Sequence, residues 1–290
     1  MKPNFFIVGA PKCATTNISY YLSLHSDIFI SELNEPYYFC KFDVPEDFER
    51  ASMIRDFDKY LKLFRKAKNH KAIGEATSTY LMCPHAPSEI KKAFPDAKIV
   101  ISLRNPIERA HSSYFSNLFR LNQKIGFSEM IKTHYNEVKD KKFNVYNIIL
   151  AGLYTEQIIN FQKYFDSTKI KIIIFEEYTK NVENTIRMIL NFLDIDEKVE
   201  FKEQSKGAYR VPKGAFAKLL MNSQLFRKTA TKFVPTVTRQ KIGDKFLFKQ
   251  TTKPQMLSED RKLLREIYKQ EVKDLEQLLG RKLPWVDFDN

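Results

Sequence analysis

The chain has 290 residues, of which 43% are hydrophobic and 13% aromatic, enough apolar material for one large α/β core and too much for a disordered polymer. Lys and Arg number 48 against 35 Asp and Glu, giving a net charge of +13, which favours anionic ligands such as nucleotides, acidic polysaccharide, nucleic acid or an anionic membrane surface. Nowhere do 18 apolar residues follow one another, and no basic-then-apolar leader opens the sequence, so no helical membrane span and a cytoplasmic location are expected unless an anchor lies outside it.

In chain order, the apolar run Phe5-Phe6-Ile7-Val8, closed by Gly9, is too short for a helix and predicts a strand buried on both faces, as in a parallel sheet. Ile18, Tyr21 and Leu22 then recur at helical spacing from Thr15 onward, so strand, tight loop and helix start follow in succession. Further strands are predicted at 72–75, 98–103 and 170–175, with helices around 57–64, 106–118 and 158–165 between them. This alternation predicts an α/β fold, a P-loop-like three-layer α/β/α arrangement with a central parallel sheet. No repeat or Gly/Ser linker interrupts it, so residues 1–290 read as one domain with a ligand-binding core over about 1–200. The stretch from about 202 to 254 is basic and poorly periodic and predicts loops and short helices over a binding face. A final helix over about 258–280 is predicted from Ser258 as N-cap, Leu264, Ile267, Tyr268, Val272, Leu275 and Leu279 as the buried stripe, and Gly280 as the stop.

Cys13, Cys40 and Cys83 form no CxxC pair and have no His-rich neighbourhood, which argues against a structural zinc site or a disulfide scaffold and predicts a reducing compartment.

Two stretches carry chemistry. The first, "VGAPKCATTNISYYL" at 8–22, departs from the nucleoside-triphosphatase loop G-x-x-x-x-G-K-[ST]: Ala14 stands at its second glycine and Thr15 at its lysine, while a lysine appears early, at Lys12. A strand, a turn and a helix start still make an anion site, because the first helical N–H groups lack partners and the helix dipole is positive there. Lys12, the N–H groups of Cys13, Ala14, Thr15 and Thr16 and the two threonine hydroxyls are expected to converge on one oxyanion. The second, "SLRNPIERAHSSY" at 102–114, leaves a strand and enters a helix through Asn105 as N-cap and Pro106 at the first helical position. Arg104 then sits at the carboxyl end of a strand, the edge where ligands lie in an open parallel sheet, and Ser112 follows about two turns into the helix.

Together these stretches resemble the sulfotransferase family that uses 3′-phosphoadenosine 5′-phosphosulfate (PAPS). The first is similar to its 5′-phosphosulfate loop, P-K-x-G-T-T, at Pro11, Lys12, Thr15 and Thr16. The second is similar to its 3′-phosphate motif, R-x-P-x-x-R-x-x-S-x-Y, at Arg104, Pro106, Arg109, Ser112 and Tyr114. "NEPYYF", "GEATSTYL", "GLYTEQIINFQKYF" and "DLEQLLGRKLPW" resemble the carbohydrate, heparan sulfate-type branch, so the likeness runs through nearly the whole chain. "KGAYRVPKGAF" at 206–216 resembles the family's late loop over the 3′-phosphate and adenine, which implies roles for Lys206, Gly207 and Arg210. The departures are Ala14 at the loop glycine, Tyr37 where the branch often has histidine, and Ala76 where some members carry lysine after the glutamate matched by Glu75.

The resemblance implies transfer of a sulfuryl group from PAPS to a hydroxyl or amine of a small molecule or glycan, without a metal, leaving PAP, the desulfated nucleotide, as product. Lys12 follows charge on the departing phosphate oxygen. Glu35 matches the glutamate assigned as base in heparan-type members, and a carboxylate beside Pro36, Tyr37, Tyr38 and Phe39 is placed to be partly desolvated, which suits a general base. His25 is the rival base, because the small-phenol branch uses histidine. A P-loop kinase or ATPase would need lysine at position 15, and a basic nucleic-acid-binding or glycan-binding protein would not need two strand-to-helix anion motifs; the departures at Ala14 and Tyr37 leave open a non-catalytic sulfotransferase-like protein that binds an anion or glycan without turnover.

Overall fold

The computed structural model describes residues 1–40, 53–120, 125–197, 210–212 and 248–289. Five strands form one parallel sheet: β1 (Phe5–Gly9), β2 (Ile28–Ile30), β3 (Ala72–Ala76), β4 (Lys98–Leu103) and β5 (Ile170–Ile174), in the order β2-β3-β1-β4-β5. The four predicted strands are all present. β2, only three residues long, gives too little pattern to be read from sequence, and Phe175 opens a helix rather than closing β5.

The helices are α1 (Thr15–Leu22), α2 (Phe57–Lys62), α3 (Ala86–Ala93), α4 (Pro106–Arg120), α5 (Phe127–Lys139), α6 (Tyr154–Gln162), α7 (Phe175–Lys180), α8 (Val182–Phe192) and α9 (Ser258–Leu279). Alternate residues of the strands face opposite layers, as a pleated sheet requires. Phe5 and Ile7 pack with Ile18 and Leu22 of α1 and Ile186, Ile189 and Leu190 of α8. Phe6 and Val8 face the other way, into a larger core with Ile107 and Ala110 of α4, Ile158 and Phe161 of α6, and Leu264, Tyr268 and Leu275 of α9. Both faces of the sheet are covered, which is why β1 is an unbroken apolar run and Ile99, Val100, Ile101 and Leu103 of β4 are all fully buried.

The ends of α9 show what local sequence decides. Gly280 follows the last turn with φ of 65°, the left-handed cap glycine adopts without strain. Ser258 is the first helical residue rather than the cap; Leu257 holds the N-cap position and no side chain caps the helix. Of the expected stripe, Leu264, Tyr268, Val272 and Leu275 are buried, while Ile267 and Leu279 pack at its margin.

Two expectations are corrected. Cys40 and Cys83 form a disulfide, with Cα atoms 5.7 Å apart across 43 residues of sequence. No local spacing betrays such a pair, because folding alone brings the segment after β2 against the segment after β3. The cysteine argument for a reducing compartment therefore does not hold. The basic stretch also contains strands: β6 (Arg210–Pro212) pairs antiparallel with β7 (Phe248–Gln250), Arg210 opposite Gln250. Among the described residues, no helix is long and apolar enough to cross a membrane.

Candidate functional site

The strand order places the two motifs side by side. β1 and β4 are neighbours, and the chain leaves β1 toward β2 on one side while β4 lies on the other, a topological switch point with its crevice at the carboxyl ends. The 10–14 loop rises from β1, and Arg104-Asn105 rises from β4. Gly9 permits this close turn: a Cβ there would stand 2.5 Å from Leu81 Cβ and 2.9 Å from the Ser78 carbonyl oxygen.

Ala14, at the family's glycine position, has φ of 64° and is the N-cap of α1. Its carbonyl accepts from Asn17 and Ile18 N–H, which leaves Thr15 and Thr16 at the first two helical positions, where amides have no acceptor within the helix. Thr15 is buried and Thr16 exposed. Cys13 differs from expectation, since its N–H donates to the Ala10 carbonyl at 3.2 Å and so closes the turn. Its thiol is buried and, despite Arg109 and Arg104 nearby, burial pushes its pKa up to about 12. Cys13 is thus a neutral wall of the loop, held by Ser102 Oγ donating to its carbonyl at 2.5 Å.

Lys12 Nζ reaches across the crevice to Ser116 Oγ on α4 at 3.2 Å. Arg104 Nη1 approaches the Lys12 carbonyl at 3.4 Å, and its guanidinium lies 4.4 Å from the Phe175 ring centroid. Arg104 Nε is buried without a hydrogen-bond partner, an orphan donor beside an anion-binding loop. Asn105 caps α4 as read from sequence, its Oδ1 accepting from Ile107 N–H at 3.0 Å. Ser112 and Ser116, one turn apart on α4, face the same crevice as Lys12 and Lys253: Lys253 Nζ donates to Ser112 Oγ at 3.1 Å. Lys253 lies in the segment leading to α9, and no motif marked it.

Arg109 is not in the crevice. It is fully buried under the loop and donates to the Ile148 carbonyl. Burial opposes its charge, but the Tyr268 and Tyr154 hydroxyls and Cys13 beside it more than offset that, so the cation persists beneath the loop. Tyr114 packs against Phe127, and His111 packs against Phe115 and Phe127.

The Glu35 loop reaches the same edge from β2. Glu35 N–H donates to the Ala76 carbonyl at the end of β3, Ser78 Oγ donates to Glu35 Oε1 at 2.5 Å, and the Tyr37 hydroxyl donates to Oε2. Lys12, Ala14, Glu35 and Tyr37 all have positive φ, four of the six such non-glycine residues described. Strained backbone of this kind collects where a fold holds functional groups in place. His25 lies elsewhere, at the turn between α1 and β2. Its Nδ1 accepts from Asp27 N–H and its Nε2 meets Asp196 Oδ1 at 3.2 Å, so both ring nitrogens are engaged in holding that turn. Lys206 and Gly207 fall outside the described residues; Arg210 is placed by its backbone in β6.

Just behind Ala76, Glu75 is fully buried, and burial raises its pKa to about 7 against the opposing Thr77, Tyr60 and Tyr80 hydroxyls. Thr77 Oγ1 donates to its Oε1 at 2.6 Å.

An α/β fold whose switch point presents a basic anion cradle on one flank and a hydrogen-bonded carboxylate on the other defines a group-transfer or nucleotide-binding class. The chain belongs to the sulfotransferase family, whose model matches residues 3–199. It is 24% identical to human carbohydrate sulfotransferase 15 over 69% of this chain and 45% of that protein. With the mouse heparan sulfate glucosamine 3-O-sulfotransferase 6 it shares 25% identity over 69% of this chain and 54% of the relative. The membrane-associated sulfotransferase kil1 of Dictyostelium discoideum is 32% identical, over 39% of this chain and 22% of that protein. The chain therefore spans at most about half the length of these curated relatives. A solved sulfotransferase from Alicyclobacillus acidocaldarius superposes with a TM-score of 0.73 at 27% identity, covering 98% of both chains. The fold is shared with mouse sulfotransferase SULT7A1 complexed with PAP, at a TM-score of 0.52 and 16% identity over 96% of this chain and 88% of that one.

Proposed function

We propose that this protein transfers a sulfuryl group from PAPS to a hydroxyl or amine of a carbohydrate acceptor, with Lys12 at the leaving group and Glu35 as base. The observation that carries this reading is the meeting of Lys12, Arg104 and the Ser112/Ser116 face of α4 at the switch point between β1 and β4. Bound PAPS would supply the activated sulfuryl group and a nucleotide leaving group. The residues fit it: Arg104 Nε is an orphan donor, the helical amides of Thr15 and Thr16 point out of α1, and Lys12, Arg104 and Lys253 supply positive charge.

Lys12 would hold its ammonium against the bridging oxygen, where negative charge grows as the S–O bond breaks, and the fixed amides add to this without reorganising. Arg104, Ser112 and, in the late segment, Lys206, Gly207 and Arg210 would bind the 3′-phosphate and adenine end. Glu35 would take the acceptor proton as the acceptor oxygen or nitrogen bonds to sulfur, with Ser78 and Tyr37 fixing its carboxylate. Positioned bases contribute about 10²- to 10⁴-fold.

The carbohydrate acceptor rests on the named specificities of carbohydrate sulfotransferase 15 and the heparan sulfate relatives, and the net charge of +13 suits an acidic glycan. The test is transfer of labelled sulfate from PAPS to a panel of glycans, phenols and lipids. Transfer to glycans, lost in Lys12→Ala, is expected; preferential labelling of phenols or lipids would reassign the acceptor.

A further inference from the structure

The segment after β2, 35–40, and the segment after β3, 76–83, lie side by side, and four links join them. Glu35 N–H donates to the Ala76 carbonyl at 3.2 Å, Ser78 Oγ donates to Glu35 Oε1 at 2.5 Å, Phe39 N–H donates to the Tyr80 hydroxyl at 3.3 Å, and Cys40 is bonded to Cys83. The Glu35–Ser78 and Cys40–Cys83 pairs are each 43 residues apart in sequence, so the bridge closes the same alignment that sets the carboxylate. The 76–83 segment is itself fixed to the sheet. Thr77 N–H donates to the Ile7 carbonyl of β1 at 3.1 Å, Leu81 packs on Gly9 so closely that a Cβ there would stand 2.5 Å from its own, and Tyr80, Leu81 and Met82 form a buried 3-10 turn. β1 also carries the Lys12 loop, so this segment refers the carboxylate to the donor side of the crevice. The 35–40 segment is the strained partner: Glu35 and Tyr37 both hold positive φ, which persists only where surrounding contacts over-determine it. Ile54 N–H on the Pro36 carbonyl and Tyr38 stacked on Tyr60 hold its middle, and the bridge holds its far end.

We propose that the Cys40–Cys83 disulfide is a positioning element for Glu35, so that sulfuryl transfer, but not donor binding, depends on the bridge being oxidised. The inference rests on the reading of Glu35 as base. Hydrogen bonds between the two segments can each exchange with water, whereas the covalent link leaves the strained segment few other arrangements. Reduction by a dithiol passes two electrons and two protons to the bridge, giving the Cys40 and Cys83 thiols and leaving the dithiol as a disulfide; it frees the end of the segment that carries Glu35. A general base acts only within hydrogen-bond reach of the proton it takes, and a displacement of about 1 Å can cost up to about 100-fold in rate. Lys12 and Arg104 are held by α4, the β1 loop and Phe175 instead, so donor affinity does not follow the bridge.

The alternative is that the bridge only stabilises the fold. The double variant Cys40→Ala/Cys83→Ala is compared with the oxidised wild type at a temperature where calorimetry shows both folded, with labelled-sulfate transfer for kcat and titration calorimetry for PAP. Its kcat is expected to fall at least about tenfold with PAP affinity within twofold. Dithiothreitol is expected to bring wild-type kcat down toward that of the variant, reoxidation to restore it, and neither to change the variant; thiol titration reports the reduction, so this arm reads the same outcome should the variant not fold. Before reduction, titration of the unfolded wild type is expected to find one free thiol, that of Cys13. Three free thiols, wild-type kcat in the folded double variant or in the reduced wild type, or equal losses of transfer and PAP affinity each overturn the inference while leaving the sulfotransferase reading intact. Normal turnover in Glu35→Gln overturns the base assignment, and this inference with it.

Discussion

The Tyr37 hydroxyl donates to Glu35 Oε2, and both residues are held at positive φ, 56° and 53°. With Ser78 on the other oxygen, the carboxylate is clamped at both ends, so the tyrosine that replaces the branch's histidine has a role of its own. Glu35→Gln is expected to lower turnover at least about 100-fold with PAP affinity within twofold. Tyr37→Phe, which frees one oxygen, is expected to lower kcat less, without raising the KM for the donor. Normal turnover in Glu35→Gln, measured by labelled-sulfate transfer, would move the base elsewhere.

Ala14 pays for its left-handed backbone. At φ of 64° a side chain costs about 1 kcal/mol that glycine avoids. Ala14→Gly is therefore expected to raise the melting temperature by about 2–4 °C, and Ala14→Val to lower it. A lower melting temperature for Ala14→Gly in scanning calorimetry would show that the methyl's packing outweighs the strain.

Glu75 makes stability depend on pH. Its folded pKa of about 7 lies above the ordinary carboxyl value of 4.5, so between these values the folded state holds a proton that the unfolded state has released. Its contribution is full below about pH 4.5, falls as pH rises toward 7, and levels off above. Urea unfolding between pH 5 and pH 8 is expected to show this decline, and Glu75→Gln, which cannot ionise, is expected to flatten it. An equal slope in Glu75→Gln would assign the effect to other groups.

The Cys40–Cys83 bridge closes a loop across 43 residues, and loops of that size restrict the unfolded chain by about 2–4 kcal/mol. Cys83→Ala is expected to lose about that much stability in chemical denaturation, and reductant is expected to bring the wild type down toward the variant. If reductant leaves wild-type stability unchanged, the bridge contributes nothing.

How much of this was legible in sequence follows from what each feature depends on. β1 could be read because a strand buried on both faces is an unbroken apolar run, β4 and β5 because 99–101 and 172–174 are short apolar runs, β3 from its short apolar start ahead of the buried Glu75, and Asn105-Pro106 because caps are local chemistry. β2 is too short to show a pattern. The disulfide, the burial of Arg109 beneath the loop, and the reach of Lys253 to Ser112 across 141 residues all depend on tertiary structure. The motif spacing placed Arg104 and Ser112 together but gave Arg109 the same apparent standing; only the packing of Tyr154 and Tyr268 around it shows that it faces inward.

The central claim is that the β1–β4 crevice holds a 3′-phosphorylated sulfuryl donor. Thermal unfolding with PAP, compared with ATP and magnesium, tests it most directly, since a ligand that binds the folded state raises its melting temperature. PAP is expected to stabilise the wild type strongly and Lys12→Ala and Arg104→Ala less. Stabilisation by ATP and magnesium alone, with none from PAP, would contradict the account.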